Sequence, residues 1–179
     1  MSLCKSEENN HTQGLNMIIR PAIANDLKGV AEIYNSYLGK ATMDLELATA
    51  ESYRKYLTAD REALYISEVN NEIAGWSLIK KYSDRIGYAK SCETSTFLSR
   101  SYIGKGYGTE LKKYNMQACK DLGYTHLVAK IMSINKTSIN YNLKLGYEIV
   151  GEQKNIGYIN GKYHNVTIMQ YNFPIAQDD

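Results

Sequence analysis

The chain has 179 residues, 44% hydrophobic and 22% charged, with a net charge of +2 at pH 7. That length suffices for one domain with its own core, and so small a charge, with no basic run, does not suggest a nucleic-acid binder. No apolar stretch approaches the roughly 20 residues of a membrane-spanning helix, and the polar first ten residues lack the apolar core of a signal peptide.

The three cysteines, Cys4, Cys92 and Cys119, are odd in number and show no paired spacing. They point to reduced thiols and a cytoplasmic setting. His11, His126 and His164 are scattered, and none stands at zinc-ligand spacing from a cysteine, so no metal is expected.

Residues 1–16 are polar and aperiodic and read as a disordered N-terminal tail. A single domain is expected over 17–173, with a short C-terminal tail at 174–179. Residues 17–20 form a strand stopped by Pro21. Asn25 or Asp26 can cap the helix that follows, whose apolar stripe is Leu27, Val30, Ala31, Tyr34, Tyr37 and Leu38, with Gly39 at its end. After a loop at 40–48, a second helix is predicted at 49–58. Strands at 63–69 and 73–80 flank an Asn70-Asn71 hairpin turn that lacks the usual glycine, and Gly75 marks a bulge or a close approach. Residues 82–90 read as a loop or strand extension.

The chain is organised around the stretch from Glu93 to Thr109. Ser95-Thr96-Phe97-Leu98 is a strand by its β-branched and apolar character. Glycines follow at 104, 106 and 108, and then a helix with Tyr107, Leu111, Tyr114, Ala118 and Leu122 at helical spacing. A strand that enters a helix through a glycine-rich turn is an anion site, because the first-turn N–H groups have no partner within the helix. A phosphate suits it, and Lys105 and Thr109 can add to the binding. A plain glycine turn is the simplest reading. A dinucleotide loop needs a G-x-G-x-x-G frame and an acidic residue after the next strand; this chain has G-x-G-x-G, and its next strand ends at Lys130-Ile131. Beyond it the pattern predicts a strand at 126–131, a helix at 135–145 closed by Gly146, and strands at 147–153 and 163–171 joined by a loop around Gly157 and Gly161. The order β-α-α-β-β-β-α-β-α-β-β describes an α/β (α+β) fold with one mixed sheet flanked by helices.

Four stretches carry a resemblance to the Gcn5-related N-acetyltransferases (GNAT), spanning about residues 18–173. Gly106 and Gly108 match the glycines of the family's acetyl-CoA pyrophosphate loop, (Gln/Arg)-x-x-Gly-x-(Gly/Ala), with Ile103 where Gln or Arg usually stands. Residues 135–147, Asn-Lys-Thr-Ser-Ile-Asn-Tyr-Asn-Leu-Lys-Leu-Gly-Tyr, resemble the family's Asn-x-x-Ser-x-x-(apolar)-Tyr-x-x-(apolar)-Gly-(Phe/Tyr) helix. Residues 85–98 and 157–166 are similar to the Arg-x-x-Tyr-x-x-x-x-Glu-x-(Ser/Thr) stretch and the last hairpin of the phosphinothricin acetyltransferase subgroup, with Tyr163 for Trp and Asn165 for Asp.

The resemblance implies a GNAT fold and an acetyl-CoA-dependent N-acetyltransferase, with Gly104, Lys105, Gly106, Tyr107, Gly108 and Thr109 at the pyrophosphate. It implies backbone groups of Thr96, Phe97 and Leu98 along the pantetheine arm, an amide from Asn135 to that arm, and an oxyanion donor in the N–H near Leu98. Glu93 is the candidate general base; it can take the proton of an amine that is only about one-tenth free at neutral pH. Arg85, through its planar fork, and Tyr88 are candidate binders of an amino-acid-like substrate. Asn142 stands where the superfamily often carries a Tyr acid; it cannot titrate, and can only orient a water or the substrate. Methionine sulfone, methionine sulfoximine and phosphinothricin are the implied substrates. Another small amine or a peptide N-terminus is the alternative, and an acidic pocket around Glu46, Glu93 and Asp44 would favour a cationic amine. A non-catalytic acetyl-CoA sensor is the rival outside the enzymes. The subgroup resemblance also implies a homodimer with its C-terminal strands near the interface.

Overall fold

Two consecutive residues with positive φ, Asn70 at 52° and Asn71 at 64°, turn the chain between its third and fourth strands. This is the backbone a two-residue type I′ hairpin demands, and asparagine tolerates it nearly as well as glycine. The computed structural model describes residues 10–11 and 16–174. Its strands are β1 (Asn10–His11), β2 (Ile18–Pro21), β3 (Ala63–Val69), β4 (Glu72–Lys81), β5 (Ser91–Leu98), β6 (His126–Met132), β7 (Glu148–Ile159) and β8 (Lys162–Asn172). Its helices are α1 (Leu27–Asn35), α2 (Ala50–Arg54), α3 (Tyr107–Asp121) and α4 (Lys136–Lys144).

The strands form one sheet in the order β1-β2-β3-β4-β5-β6-β8-β7. Every neighbouring pair is antiparallel except β5 and β6, which run parallel. That pair is short: Ser91, Cys92 and Glu93 meet His126, Leu127 and Val128, and nothing beyond. β5 continues to Leu98 and β6 to Met132, so the two strands diverge into a fork whose closed end is Glu93.

Alternation along the strands builds a core on each face of the sheet. Leu64, Ile66 and Trp76 pack against Leu27 and Val30 of α1 and Tyr53 of α2. Cys92, Leu127, Ala129, Ile131 and Met169 pack against Met116, Ala118 and Cys119 of α3 and Ile139 of α4. Leu27, Val30, Ile66 and Met169 are all fully shielded from solvent, each side chain contributing about 1.5–3 kcal/mol of apolar burial.

Local rules placed most elements; the helix expected at 49–58 is α2 over Ala50–Arg54 followed by a 3-10 turn at Lys55–Leu57, and other elements differ as follows. The first helix ends at Asn35, and Tyr37 and Leu38 lie in the turns after it; Tyr37 reaches the Leu98 carbonyl from there (2.6 Å). The helix start uses Asp26 as the acceptor for the Ile23 N–H (2.8 Å) while Asp26 also receives both arms of Arg20 (2.7 and 3.0 Å). The strand that holds Glu93 begins at Ser91, because β6 is available to pair from there. The loop expected around Gly157 is strand: the register resumes after an irregularity at Gln153 with Gly157 opposite His164 and Tyr158 opposite Tyr163, and the turn is confined to Asn160-Gly161. Asn10 and His11 pair with Ile19 and Ile18 as an edge strand; the rest of the expected N-terminal tail, bar residue 16, and residues 175–179 lie outside the described residues. Gly75 sits at a bulge, where Ser67 faces Gly75 and Glu68 faces Ile73.

Candidate active site

The site is the fork between β5 and β6. The Ser99 N–H donates to the Ala74 carbonyl (2.8 Å) and the Tyr82 N–H to the Ser91 carbonyl (3.2 Å). The β4–β5 register is unbroken between these ends. Odd-numbered residues of β5 therefore turn their backbone groups toward β4, and Thr94, Thr96 and Leu98 turn theirs toward the opening. Of the three residues expected to offer backbone groups to a ligand, Thr96 and Leu98 turn theirs toward the opening. Phe97 is the exception. Its backbone pairs with Trp76, and its ring stacks on Trp76 at 4.8 Å and on Tyr34 and Tyr37 at 5.2 and 5.3 Å. The Leu98 carbonyl is taken by the Tyr37 hydroxyl, while the Leu98 N–H faces the fork.

At the open end, the chain passes through Arg100–Tyr102 into the glycine turn. Gly104 and Gly106 have φ of 78° and 87°, which a side chain would strain. No side chain caps α3, so its first N–H groups are presented at the exposed turn with Lys105 beside them. Gly108 lies close to Leu98: a Cβ there would meet the Leu98 side chain at 3.0 Å. The Tyr141 hydroxyl of α4 donates to the Gly108 carbonyl. It ties the two helices that flank the fork, and burial pushes its ionisation well above the ordinary tyrosine value. Asn135 caps α4, its side-chain oxygen accepting the Ser138 N–H at 3.1 Å, which leaves its amide N–H groups to a ligand. Asn142 is buried; its amide donates to the Ser138 carbonyl (2.9 Å) and its Oδ1 has no partner. A buried acceptor without a donor, free helix N–H groups and outward backbone groups on β5 fit a phosphate-bearing ligand with amides along its arm.

At the closed end, Glu93 is held by two lysines. Lys130 of β6 approaches Oε2 at 2.9 Å and Lys80 of β4 approaches Oε1 at 3.5 Å. The Glu93 side chain is 18% exposed. Lys130 also lines a recess of about 450 Å³ with Tyr82, Tyr88, Val128, Gln153 and Gln170. Tyr88 is therefore beside the site, stacked on Tyr82 at 5.4 Å. Arg85 is exposed at the start of the same turn. Asp44 accepts the Tyr34 hydroxyl; burial, helped by that carboxylate, pushes Tyr34 up to about 12. The two lysines around Glu93 come from strands whose register no local pattern reveals.

Residues 19–168 match the Acetyltransferase (GNAT) domain family. The chain belongs to the GNAT acetyltransferases. This GNAT chain is 28% identical over 162 residues to an L-methionine sulfoximine/L-methionine sulfone acetyltransferase of Pseudomonas aeruginosa, covering 86% of this chain and 93% of that protein. It is 27% identical over 161 residues to the phosphinothricin N-acetyltransferase of Streptomyces viridochromogenes, with 88% of each covered. Its fold superposes with a TM-score of 0.81 on a GNAT phosphinothricin acetyltransferase from Sinorhizobium meliloti solved with acetyl-CoA, at 23% identity, covering 88% of this chain and 89% of that one. The GNAT protein described here is an N-acetyltransferase that takes its acetyl group from acetyl-CoA.

Proposed function

We propose that the enzyme acetylates the amino group of a small amino-acid-like substrate, of the methionine sulfone, methionine sulfoximine or phosphinothricin class, held between Glu93 and Lys130. The observation that carries this is the charge pair at the closed end of the fork, on the rim of the recess. An amino acid presents a cation and an anion a few bonds apart. Glu93 and Lys130 present the complementary anion and cation, and the substrate replaces their mutual contact with one of its own for each. Tyr82 and Tyr88 flank the side chain of the substrate, and Arg85 supplies a second cation from the loop that carries Tyr88. The naming of the Pseudomonas and Streptomyces relatives supports the same substrate class.

Acetyl-CoA, when bound, supplies a thioester whose acyl carbon the amine attacks with loss of the thiol. The glycine turn from Gly104 to Gly108, Lys105 and Thr109 hold its pyrophosphate, and Thr96, Leu98, Asn135 and Asn142 meet its arm. The Leu98 N–H stabilises the charge that develops on the carbonyl oxygen. Glu93 takes the amine proton, directly or through a water. The exposed apolar residues Ile149, Val150, Ile156, Tyr158 and Tyr163 on β7 and β8 suit a homodimer through the last hairpin. The buried free thiols Cys92 and Cys119 are in keeping with a reducing, cytoplasmic setting.

The test is thiol release from acetyl-CoA with a panel of methionine sulfone, methionine sulfoximine, phosphinothricin, polyamines and short peptides. Turnover with the amino acids is expected. Glu93→Gln should lower kcat by about 10²–10⁴-fold and leave acetyl-CoA affinity unchanged, and Lys130→Met should chiefly raise KM for the amino acid. Turnover confined to polyamines or peptides overturns the substrate class, and a normal rate in the Gln variant overturns the base.

A further inference from the structure

Five non-glycine residues among those described have positive φ. Four are asparagines, at 70, 71, 155 and 160; the fifth is Arg61, at 58°. Asparagine visits the left-handed region readily, whereas for arginine it is an uncommon and strained choice. Arg61 lies in the turn that leads from Lys55–Leu57 into β3. Its Nη2 donates to the Ala89 carbonyl at 2.6 Å and its Nε to the Leu122 carbonyl, at the end of α3, at 3.2 Å. The guanidinium carbon lies 4.5 Å from the centre of the Tyr124 ring, and the Tyr124 hydroxyl donates back to the Arg61 carbonyl at 2.6 Å. The next residue, Glu62, accepts the Lys81 N–H at the end of β4 (3.0 Å). This turn therefore grips both feet of the loop between β4 and β5, the loop that carries Tyr82, Arg85 and Tyr88.

Packing does not hold that loop. Of residues 82–90 only Ser83 is even half-buried, and Ile86 is 91% exposed. Its backbone makes one 3-10 turn, Ile86–Tyr88, in which the Tyr88 and Ala89 N–H groups donate to the Arg85 and Ile86 carbonyls, both at 2.9 Å. Beyond it the Lys90 carbonyl accepts the Thr125 and His126 N–H groups (2.9 and 3.1 Å), which fixes the chain where β5 begins but not the turn before it. Among the described residues Arg61 is the only side chain outside the loop that hydrogen-bonds to it. We propose that Arg61 is a positioning residue for the acceptor amine: through the Ala89 carbonyl it holds the 86–88 turn, and with it Arg85 and Tyr88, at the recess beside Glu93 and Lys130. It touches neither substrate nor cofactor. Arginine suits the task because its planar fork reaches two carbonyls at once while its face rests on an aromatic ring, and the ammonium of a lysine lacks that geometry. The inference rests on the reading that this loop lines the amino-acid site. Acetyl-CoA binding should not feel Arg61, since β5 spans Ser91–Leu98 and its two ends are about 23 Å apart.

The test is Arg61→Gly, measured with whichever amine turns over. Glycine suits a φ of 58°, so the variant keeps the turn and loses only the fork. KM for the amine should rise about tenfold, as expected for the loss of charge-assisted bonds, while kcat falls by less and the acetyl-CoA Kd stays at the wild-type value. Arg61→Lys should recover part of the loss, and added methylguanidinium should lower KM in the glycine variant but not in the wild type. Hydrogen exchange gives a readout free of turnover: the Tyr88 and Ala89 amides should exchange about tenfold faster in Arg61→Gly, with the amides of α1 and β6 unchanged. Exchange that quickens equally through α1, β3 and β6 makes Arg61 a stability residue only and overturns the proposal. So does a wild-type KM in Arg61→Gly when Tyr88→Ala raises it. If Tyr88→Ala also leaves KM unchanged, the reading of the loop as the acceptor site has failed instead, and exchange at Tyr88 and Ala89 then decides whether Arg61 holds the turn.

Discussion

Leu98 is wedged between two glycines, and adding one methyl group should move it. A Cβ built on Gly75 falls 2.5 Å from Leu98 Cδ2 and 2.7 Å from the Phe97 carbonyl oxygen. The side-chain methyl can rotate. The carbonyl cannot, because Phe97 pairs with Trp76 in the sheet. The end of β5 must shift by a few tenths of an ångström or more. Overpacking of this kind costs about 1–3 kcal/mol. The backbone of Gly75 is not left-handed, so alanine recovers about 0.4–1 kcal/mol by restricting the unfolded chain. A net loss of about 1–2 kcal/mol should lower Tm by about 2–8 °C at this chain length. The functional loss should be larger. The Leu98 N–H faces the fork, and a displacement of about 1 Å at a reacting centre can cost about 10²-fold, so kcat in Gly75→Ala should fall by roughly tenfold or more. Thermal melts and steady-state thiol release measure the two effects. A variant that melts with the wild type and turns over at its rate refutes the reasoning.

Asp26→Asn should destabilise the helix entry by about 2–3 kcal/mol at pH 7, since a charged acceptor of three bonds is lost beside a half-buried guanidinium. Burial alone would raise the Asp26 carboxyl, but Arg20 and the Ile23 N–H outweigh it and hold it below the ordinary value. Its contribution is complete above about pH 3.9 and is lost as pH falls through the lower folded value; melts over that range should show the gap between variant and wild type closing. Tyr141→Phe should cost about 1 kcal/mol and weaken acetyl-CoA binding several-fold by calorimetry, because its hydroxyl holds the first turn of α3 to α4; unchanged affinity would show that the glycine turn needs no such tie.

What could be read from the chain was what the backbone demands locally. The glycine turn, the Asn135 cap, Gly146 with φ of 91° and the Asn70-Asn71 hairpin are each short-range requirements that few residues meet. The fork followed only in part: its glycine end lay in one stretch, and Glu93 could be placed at the strand start. Its electrostatics did not, because Lys80 and Lys130 reach Glu93 across 13 and 37 positions, through sheet register that the residues do not display. The burial of Lys112 is hidden in the same way: it sits next to the apolar stripe of α3, where a lysine reads as solvated, and only the packing shows that it is 3% exposed. The Gly157 segment misled for the opposite reason: its glycine signals a turn, but eleven residues of β8 offer it a partner, and pairing wins.

The three-residue pairing of β5 with β6 divides the sheet into a five-stranded half and a three-stranded half, joined there by few ladder bonds and by the core beneath α3 and α4. Whatever occupies the fork becomes part of the masonry. A ligand at 100 times its Kd adds about 2.7 kcal/mol to the folded state, comparable with the loss of a large core side chain. The durability of this enzyme therefore tracks the supply of its acetyl donor: the protein is sturdiest when there is acetyl to transfer.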